Sequence, residues 1–288
     1  MDIKDFEYSG GKKPDLSHKC TDISGKYKSG EIDAKYLPDN IGKLAELQNM
    51  LFAEDRYALL IIFQGMDAAG KDGVIKHVMG GLNPQGIQVH SFKEPSAEDS
   101  EHDYLWRTVK YLPERGKIGV FNRSYYEEVL VARVHDLIAG QKLPDALKNA
   151  DIWKTRYRQI KDFEKYLCEN GIIVLKFYLD ISREEQRIRL LDRIDDKAKN
   201  WKFSEADIKE RAYWDQYINY YQEVINETGT GYAPWYVIPS DKKWFSRLAI
   251  SEVIIKTLED MHLNYPVFGA EQLKVLDNYK KMLLKETN

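Results

Sequence analysis

The segment from residue 58 to residue 79 constrains this 288-residue chain most strongly. An apolar run at 58–63 leads almost directly into Gly65-Met-Asp-Ala-Ala-Gly70-Lys71-Asp72, and a helical stretch at 74–79 follows at once. A nearly continuous apolar run is typical of a strand in a parallel sheet, because helices cover both faces of such a sheet. The segment therefore predicts a strand–loop–helix unit in an α/β protein.

Short apolar runs alternate with helical stretches along the rest of the chain. Five runs have the length and composition of strands: 58–63, 87–92, 118–121, 172–179 and 235–238. Each is followed by a segment of helical composition, and this repetition predicts parallel strands joined by helical crossovers. We expect a three-layer α/β/α fold, of the P-loop kinase-like type, with a five-stranded parallel sheet.

Two segments fall outside this alternation. Residues 1–36 are polar and without periodicity, which predicts an irregular N-terminal arm ahead of a single domain at 37–288. About 55 residues separate the last two strands, far more than one crossover helix needs. This stretch is rich in basic residues and contains Ser204-Glu-Ala-Asp207, a pattern that caps a helix. We expect a helical lid inserted at about residues 183–227.

The loop after the first strand has the composition of a phosphate-binding P-loop. Its glycines allow the backbone to curl so that amide groups point inward, the next helix presents its positive end, and Lys71 adds a mobile charge. A chance Gly-x4-Gly-Lys match is the alternative, and the strand before and helix after the loop favour the P-loop. The residues expected to surround a phosphate are Gly65, Ala68, Ala69, Gly70, Lys71, Asp72 and Gly73.

Two carboxylates at the loop predict a metal ion. Asp72 stands where a P-loop usually has a Ser or Thr hydroxyl, and Asp67 lies inside the loop. Bare carboxylates beside an anion would repel it, so a hard cation such as Mg²⁺ between them makes the arrangement favourable. The alternatives are a first-turn helix acid for Asp72 and a simple turn residue for Asp67.

Arginines at two further places are candidates for neutralising phosphate charge. The strand at 118–121 ends in Asn122-Arg123, and the planar guanidinium of Arg123 suits the oxygens of a transferred phosphoryl group. Arg189 and Arg193 are four residues apart and so share one face of a helix. Acidic neighbours make a solvated, ion-paired face equally reasonable there, and the position within the insertion favours a role over the P-loop.

Composition and charge exclude several classes of protein. The longest apolar run has six residues, whereas a membrane-spanning helix needs roughly 20. The first residues form no secretory signal, so we expect a cytoplasmic protein without a membrane partner. The net charge of −3 gives no overall attraction for nucleic acid. Cys20 and Cys168 lie too far apart in sequence to indicate a disulfide framework or a cysteine zinc site.

Several sequence blocks, in order, resemble the polyphosphate kinase 2 family, P-loop enzymes that move phosphoryl groups between inorganic polyphosphate and nucleotides with Mg²⁺. The resemblance covers about residues 30–265. Such a series of blocks is far more specific than a P-loop alone. The blocks lie at 65–73, 81–86, 102–107, 121–128, 200–204 and 235–239.

The resemblance implies transfer of the terminal phosphoryl group of polyphosphate to AMP or ADP. Asn122 stands where many members have Asp, which resembles the subgroup that accepts both nucleotides and leaves the metal coordination open. Adenine nucleotides are the expected acceptors, with guanine nucleotides as an alternative, and the family implies a homo-oligomer. The implied site comprises Asp67, Lys71, Arg123, Arg189 and Arg193 as catalytic residues, Asp67 and Asp72 as metal ligands, and Asn122, Glu128 and Arg133 beside the loop in binding nucleotide and phosphate.

Two other functions share these sequence features. An ATP-dependent nucleoside or nucleotide kinase has the same P-loop, sheet and lid. A non-catalytic phosphate-binding module would also keep the loop, but it would have no turnover to lose when Lys71 is replaced.

Overall fold

Six strands form the central sheet of the structure, a computed structural model that describes residues 2–11, 14–17, 21–22 and 29–286. The strands are β1 (Glu7–Tyr8), β2 (Ala58–Gly65), β3 (Ile87–Ser91), β4 (Ile118–Asn122), β5 (Ile172–Asp180) and β6 (Trp235–Pro239). They lie in the order β1-β6-β5-β2-β4-β3, and the strands from β2 to β6 pair in parallel. All five predicted strands are confirmed, with small shifts at their ends.

The sixth strand, β1, comes from the arm that the sequence predicts to be irregular. It pairs antiparallel with β6 at the edge of the sheet, with Glu7 opposite Tyr236. Phe6 and Tyr8 bury their side chains in the core. The sheet is therefore mixed and six-stranded rather than five-stranded, because a two-residue strand is too short to show a periodic pattern. Cys20, also in this arm, lies outside the described residues.

Helices cover both faces of the sheet, as the apolar strands require. On one face α10 packs against α2 and α3, and on the other α6 packs against β5 and α9. Within the described residues, no helix is long and apolar enough to cross a membrane. The helices are α1 (Ser29–Glu31), α2 (Leu37–Glu54), α3 (Lys71–Met79), α4 (Trp106–Val109), α5 (Val131–Val134), α6 (Ile152–Glu169), α7 (Arg183–Asp195), α8 (Glu205–Glu210), α9 (Trp214–Thr228), α10 (Lys243–Asp260) and α11 (Ala270–Lys285).

The segment expected to form the lid contains α7, α8 and α9. Ser204 caps α8 as its sequence pattern predicts, since its hydroxyl accepts a hydrogen bond from the amide of Ala206 at 3.2 Å. Short loops and 3-10 turns separate the three helices. The insertion is therefore helical, and its first helix begins directly after β5.

The centre of the sheet brings the expected site residues to one edge. All eight residues of β2 are buried, and the strand lies between β4 and β5. The register places Phe63 opposite Asn122 and Gly65 opposite Leu179. The loop after β2 and the residues after β4 therefore emerge side by side, at the carboxyl end of the parallel strands where α/β proteins bind ligands.

A fully buried ion pair ties the sheet to the helices on one face. The ammonium group of Lys176, on β5, lies 2.6 Å from a carboxylate oxygen of Glu164, on α6. The other oxygen of Glu164 accepts hydrogen bonds from the hydroxyls of Tyr125 and Tyr126 at 2.8 and 2.7 Å. Lys176 also donates to the carbonyl of Thr228 at 2.8 Å. Although burial lowers the pKa of Lys176, the Glu164 carboxylate opposes that shift.

We expect Lys176→Met to destabilise the protein strongly, because it leaves the Glu164 carboxylate buried and unpaired. The free energy of unfolding, measured by urea denaturation, should fall by about 3–5 kcal/mol. Adding Glu164→Leu to the same chain removes both charges and should recover much of that loss. A single variant within about 1 kcal/mol of the wild type would contradict the role of the pair.

Candidate active site

The loop at residues 65–70 is a tight turn that only particular residues can form. Gly65 and Gly70 have φ angles of +152° and +112°, and a Cβ atom on Gly65 would lie 3.0 Å from the carbonyl oxygen of Leu179. Ala68 also has a positive φ, of +61°. The amide of Ala69 donates to the carbonyl of Met66 at 3.1 Å and so closes the turn. The loop delivers the chain to the start of α3, where helix amides have no acceptor within the helix.

Lys71, the first residue of α3, folds back over this loop. Its ammonium group donates to the carbonyls of Gly65 at 2.6 Å and Met66 at 3.1 Å. Burial and then the Arg123 charge lower the pKa of Lys71 to about 8, although the carboxylates around it oppose the shift. The hydrogen-bond partners of the ammonium are thus backbone carbonyls of the loop and not carboxylates. An incoming phosphate would meet the ammonium in this arrangement.

Arg123 and Asp67 pair directly across the entrance to the loop. A guanidinium nitrogen of Arg123 lies 2.5 Å from an Asp67 carboxylate oxygen, and the other terminal nitrogen lies 3.3 Å from Glu127. Arg123 has a φ of +63°, and its amide donates to the carbonyl of Phe63 at 3.0 Å, so the backbone aims this side chain toward the loop. The Glu127 charge, more than that of Asp67, raises the pKa of Arg123, and burial opposes it. The guanidinium is a permanent cation at this entrance.

Asn122 and Asp72 form the second polar pair of the site. The Asn122 amide donates to a carboxylate oxygen of Asp72 at 2.7 Å. Both residues line an open cleft of about 470 Å³ that also includes Arg123. Beside the loop, a Cβ atom on Gly73 would meet no atom within 4 Å, so this turn of α3 faces open space. The cleft is walled further by Ser91, Phe92, Lys93 and Glu94, which follow β3.

The carboxylate oxygens of Asp67 and Asp72 suit a metal ion such as Mg²⁺ whose coordination sphere is completed by the substrate. Among the described residues, no three His, Cys, Asp or Glu side chains cluster tightly enough to bind a metal by themselves. Mg²⁺ in phosphoryl-transfer sites usually takes one or two carboxylates, several waters and the phosphates of the substrate. Asp67, within the loop, and Asp72, in the first turn of α3, supply that number of carboxylates. The residues therefore fit a divalent cation whose remaining ligands come from water and from the phosphates of a bound ligand.

Arg189 lies behind the loop rather than over it. Its side chain is almost fully buried, and one terminal nitrogen donates to the carbonyls of Ala68 at 3.0 Å and Ala69 at 2.9 Å. The other terminal nitrogen donates to the carbonyls of Ser240 at 2.6 Å and Asp241 at 3.1 Å. All of these partners are backbone oxygens of the loop and of the chain after β6. Arg189 thus holds the loop in place through backbone carbonyls. This role differs from direct contact with phosphate.

Arg193, one turn further along α7, has a carboxylate partner rather than backbone carbonyls. It pairs with Asp207 of α8 at 2.7 Å. Burial and then the charge of Asp67 raise the pKa of Asp207, which places this carboxylate in the field of the loop. The two arginines that share a helix face therefore have different environments.

Glu128 and Arg133 have partners away from the loop. Glu128 pairs with the buried Arg156 of α6 at 3.0 Å. Arg133 pairs with Glu223 of α9 at 2.7 Å, and its guanidinium carbon lies 4.2 Å from the centre of the Tyr220 ring. The first contact joins the turn before α5 to α6, and the second joins α5 to α9, so a role for either residue in nucleotide binding stays a prediction.

Several site residues are not evident from the sequence pattern. Glu127 holds Arg123, Asp207 holds Arg193, and the side-chain amide of Gln186 donates to the Asp67 carbonyl at 2.9 Å. The cleft residues 91–94 could have been found, because they directly follow a predicted strand at the carboxyl edge of the sheet. Glu127 and Asp207 carry no such signal, since acidic residues are common on helix surfaces.

The fold and the loop define an α/β protein with a P-loop at the carboxyl end of its central strand β2. A sequence profile described as polyphosphate kinase 2 matches residues 27–266, and the chain belongs to this family. The family resemblance seen in the sequence blocks is thereby confirmed.

Named relatives and a solved structure resemble the chain over most of its length. An ADP-polyphosphate phosphotransferase of Rhodopseudomonas palustris is 47% identical over 284 residues, 98% of each chain. An AMP/ADP-polyphosphate phosphotransferase of Meiothermus ruber is 43% identical over 224 residues, 78% of this chain and 80% of the relative. The crystal structure of polyphosphate kinase 2 from Arthrobacter aurescens matches with a TM-score of 0.84 and 38% identity, covering 94% of this chain and 95% of that one.

Replacing Arg189 with Lys should impair both stability and turnover, although the charge is kept. A lysine ammonium cannot bridge carbonyls on two segments as the planar guanidinium does. We expect the free energy of unfolding to fall by about 2–3 kcal/mol and kcat to fall about a hundredfold through misplacement of the loop. Arg187→Lys is the matched control, because Arg187 is exposed on the same helix and pairs with Glu184. Equal behaviour of the two variants would refute the bracing role.

The affinity for tripolyphosphate should fall as the pH rises through about 8. Phosphate binds the protonated form of Lys71, and the pKa of that group in the free protein is about 8, so a growing fraction is neutral above this pH. Titration calorimetry from pH 7 to 9.5 in Mg²⁺ measures the effect. Lys71→Arg keeps a cation at every pH and corrects for titration of the ligand. The same pH dependence in both proteins would contradict the assignment.

Proposed function

We propose that this protein transfers the terminal phosphoryl group of inorganic polyphosphate to AMP or ADP. The observation that carries the proposal is the loop with Lys71 and Arg123 beside an open cleft at the end of β4. A donor phosphate at the loop and an acceptor phosphate in the cleft would lie next to each other. The names of the relatives from Rhodopseudomonas palustris and Meiothermus ruber supply the substrate class.

The proposed step is an in-line phosphoryl transfer. A phosphate oxygen of the nucleotide attacks the terminal phosphorus of the chain, a new P–O bond forms, and the bond to the bridging oxygen breaks. The shortened polyphosphate leaves with that oxygen and its electron pair. Because the protein forms no covalent bond, catalysis rests on positioning and on neutralising the phosphoryl oxygens.

Each charged residue has a distinct part in this proposal. Lys71 would exchange the carbonyls of the loop for phosphate oxygens, and Arg123 would exchange Asp67 for the transferred group. Asp67, released in this way, and Asp72 would hold Mg²⁺, which when bound neutralises phosphate charge. Arg193 would leave Asp207 for the donor chain when the lid closes. Arg189 would act as a positioning residue behind the loop.

The neutral side chain of Asn122 supports the acceptance of both AMP and ADP. It is neutral and donates to Asp72, so the cleft has one negative charge fewer than it would have with Asp at this position. A less negative cleft suits acceptors of different charge, and AMP and ADP differ by about one unit. We therefore propose that both nucleotides are accepted, with ATP as the final product.

The decisive assay supplies polyphosphate as the sole phosphoryl donor. With Mg²⁺ and AMP or ADP, and without added ATP, we expect ADP and ATP to form, as measured by chromatography. Lys71→Ala combined with Arg123→Ala should lower turnover roughly a thousandfold or more. Lys76→Ala is the matched control, because Lys76 is exposed on the same helix as Lys71.

Two other results would reject the proposal and identify its alternatives. Turnover with ATP as donor and none with polyphosphate would indicate an ATP-dependent kinase. Binding of tripolyphosphate that depends on Lys71, without turnover from either donor, would indicate a non-catalytic phosphate-binding module.

A further inference from the structure

The wall of the open cleft at residues 92–94 leaves the sheet directly after β3. The amide of Phe92 donates to the carbonyl of Asn122 at 3.0 Å, which extends the strand pairing by one residue. The Phe92 ring is buried and packs edge-to-face on Phe121, with 4.8 Å between the ring centres. The sheet therefore fixes the wall as far as Phe92. Within the described part of the chain, Lys93 has no hydrogen bond to the sheet, so its position depends on another contact.

That contact comes from Arg107 of α4, which is not among the residues that line the cleft. A terminal guanidinium nitrogen of Arg107 donates to the Lys93 carbonyl at 2.6 Å. The guanidinium carbon also lies 5.4 Å from the centre of the Phe92 ring, a cation–π distance. In the residues that the structure describes, no carboxylate forms an ion pair with Arg107. Because a guanidinium in a protein stays protonated, Arg107 remains a donor to this carbonyl at any working pH.

The side chain that this contact places is the ammonium group of Lys93. Lys93 lines the cleft together with Asn122 and Arg123. Arg123 is already paired with Asp67, whereas Lys93 is exposed and has no ion-pair partner among the described residues. A lysine carries a point charge on a flexible stem, so the region that its ammonium reaches depends on where its backbone is held. Lys93 is thus a cation that the cleft can offer to an anionic acceptor.

We propose that Arg107 is a positioning residue that, through the Lys93 carbonyl, places the Lys93 ammonium against a phosphate of the acceptor nucleotide. The inference rests on the proposed function, which assigns the cleft to the acceptor and the P-loop to the donor. Lys93 binds a phosphate oxygen other than the attacking one, so the attacking oxygen keeps its electron pair for the phosphorus. Arg107 touches neither substrate. Loss of either side chain therefore weakens the binding of nucleotide and leaves the binding of polyphosphate unchanged.

The test is a double-mutant cycle read by ligand binding. Full-length wild type, Lys93→Met, Arg107→Met and the double variant are titrated calorimetrically in Mg²⁺ with ADP and, separately, with tripolyphosphate. We expect the Kd for ADP to rise about tenfold in each single variant. The double variant should bind ADP no more weakly than Lys93→Met alone, because Arg107 acts through Lys93. The Kd for tripolyphosphate should not change in any variant.

Arg115→Met is the matched control for the loss of an arginine that holds a carbonyl. Arg115 is exposed, precedes β4 and donates to the carbonyl of Arg56 at 3.1 Å, at the amino ends of the parallel strands and away from the cleft. This variant should bind ADP as the wild type does.

Steady-state kinetics separate positioning from a general disturbance of the fold. With polyphosphate as donor, the KM for ADP should rise about tenfold in Lys93→Met and Arg107→Met while kcat stays near the wild-type value, since the contact is made equally in the bound and transition states. A variant that only disturbs the fold would instead lower kcat.

Three results would overturn the proposal: an unchanged Kd for ADP in Lys93→Met, additive losses in the double variant, or an equal loss of tripolyphosphate affinity in Arg107→Met. Because Lys93 is exposed, the first result can be read even if Arg107→Met does not fold. Failure of the proposed function gives a different result. The wild type would then make no ADP or ATP from polyphosphate, while the calorimetric cycle would still show whether Arg107 acts on nucleotide binding.

Discussion

The hydrogen bonds of Arg189 are the constraint on which the site depends. One buried guanidinium joins two carbonyls of the P-loop to two carbonyls after β6, and Glu185 also pairs with it at 2.8 Å. Because the Ala69 carbonyl points back to Arg189, the amide of Gly70, on the other side of the same trans peptide, is directed away from Arg189. Helix α7, the first helix of the insertion, therefore also fixes the loop, so the base of the insertion and the loop form one unit.

The charges at the site are nearly balanced before any ligand binds. Lys71, Arg123 and Arg193 provide three cations, and Asp67, Asp72, Glu127 and Asp207 provide four anions. The resulting net charge of −1 would not attract a polyphosphate. In the proposed mechanism, a bound divalent cation would reverse that sign, and phosphate oxygens would then replace the carboxylate partners of the arginines. Those carboxylates would keep the arginines oriented before substrate binds, as electrostatic preorganisation requires.

The sequence predicts the architecture well and the use of each side chain less well. Strand positions, the P-loop and the insertion follow from apolar runs and from glycine spacing, because burial on both faces leaves a direct pattern. Arg189 shows the limit: its spacing from Arg193 correctly predicts a shared helix, yet one side chain turns to backbone carbonyls and the other to Asp207. Strand β1 and Glu127 also depend on long-range contacts, which no local pattern reports.

The most direct test of the central claim is a crystal structure with Mg²⁺ and tripolyphosphate bound. We predict phosphate oxygens within hydrogen-bonding distance of the amides at the start of α3. The Lys71 ammonium should have moved from the carbonyls of Gly65 and Met66 to phosphate, while Arg189 keeps its four backbone contacts. Phosphates bound elsewhere, with Lys71 still on those carbonyls, would contradict the account.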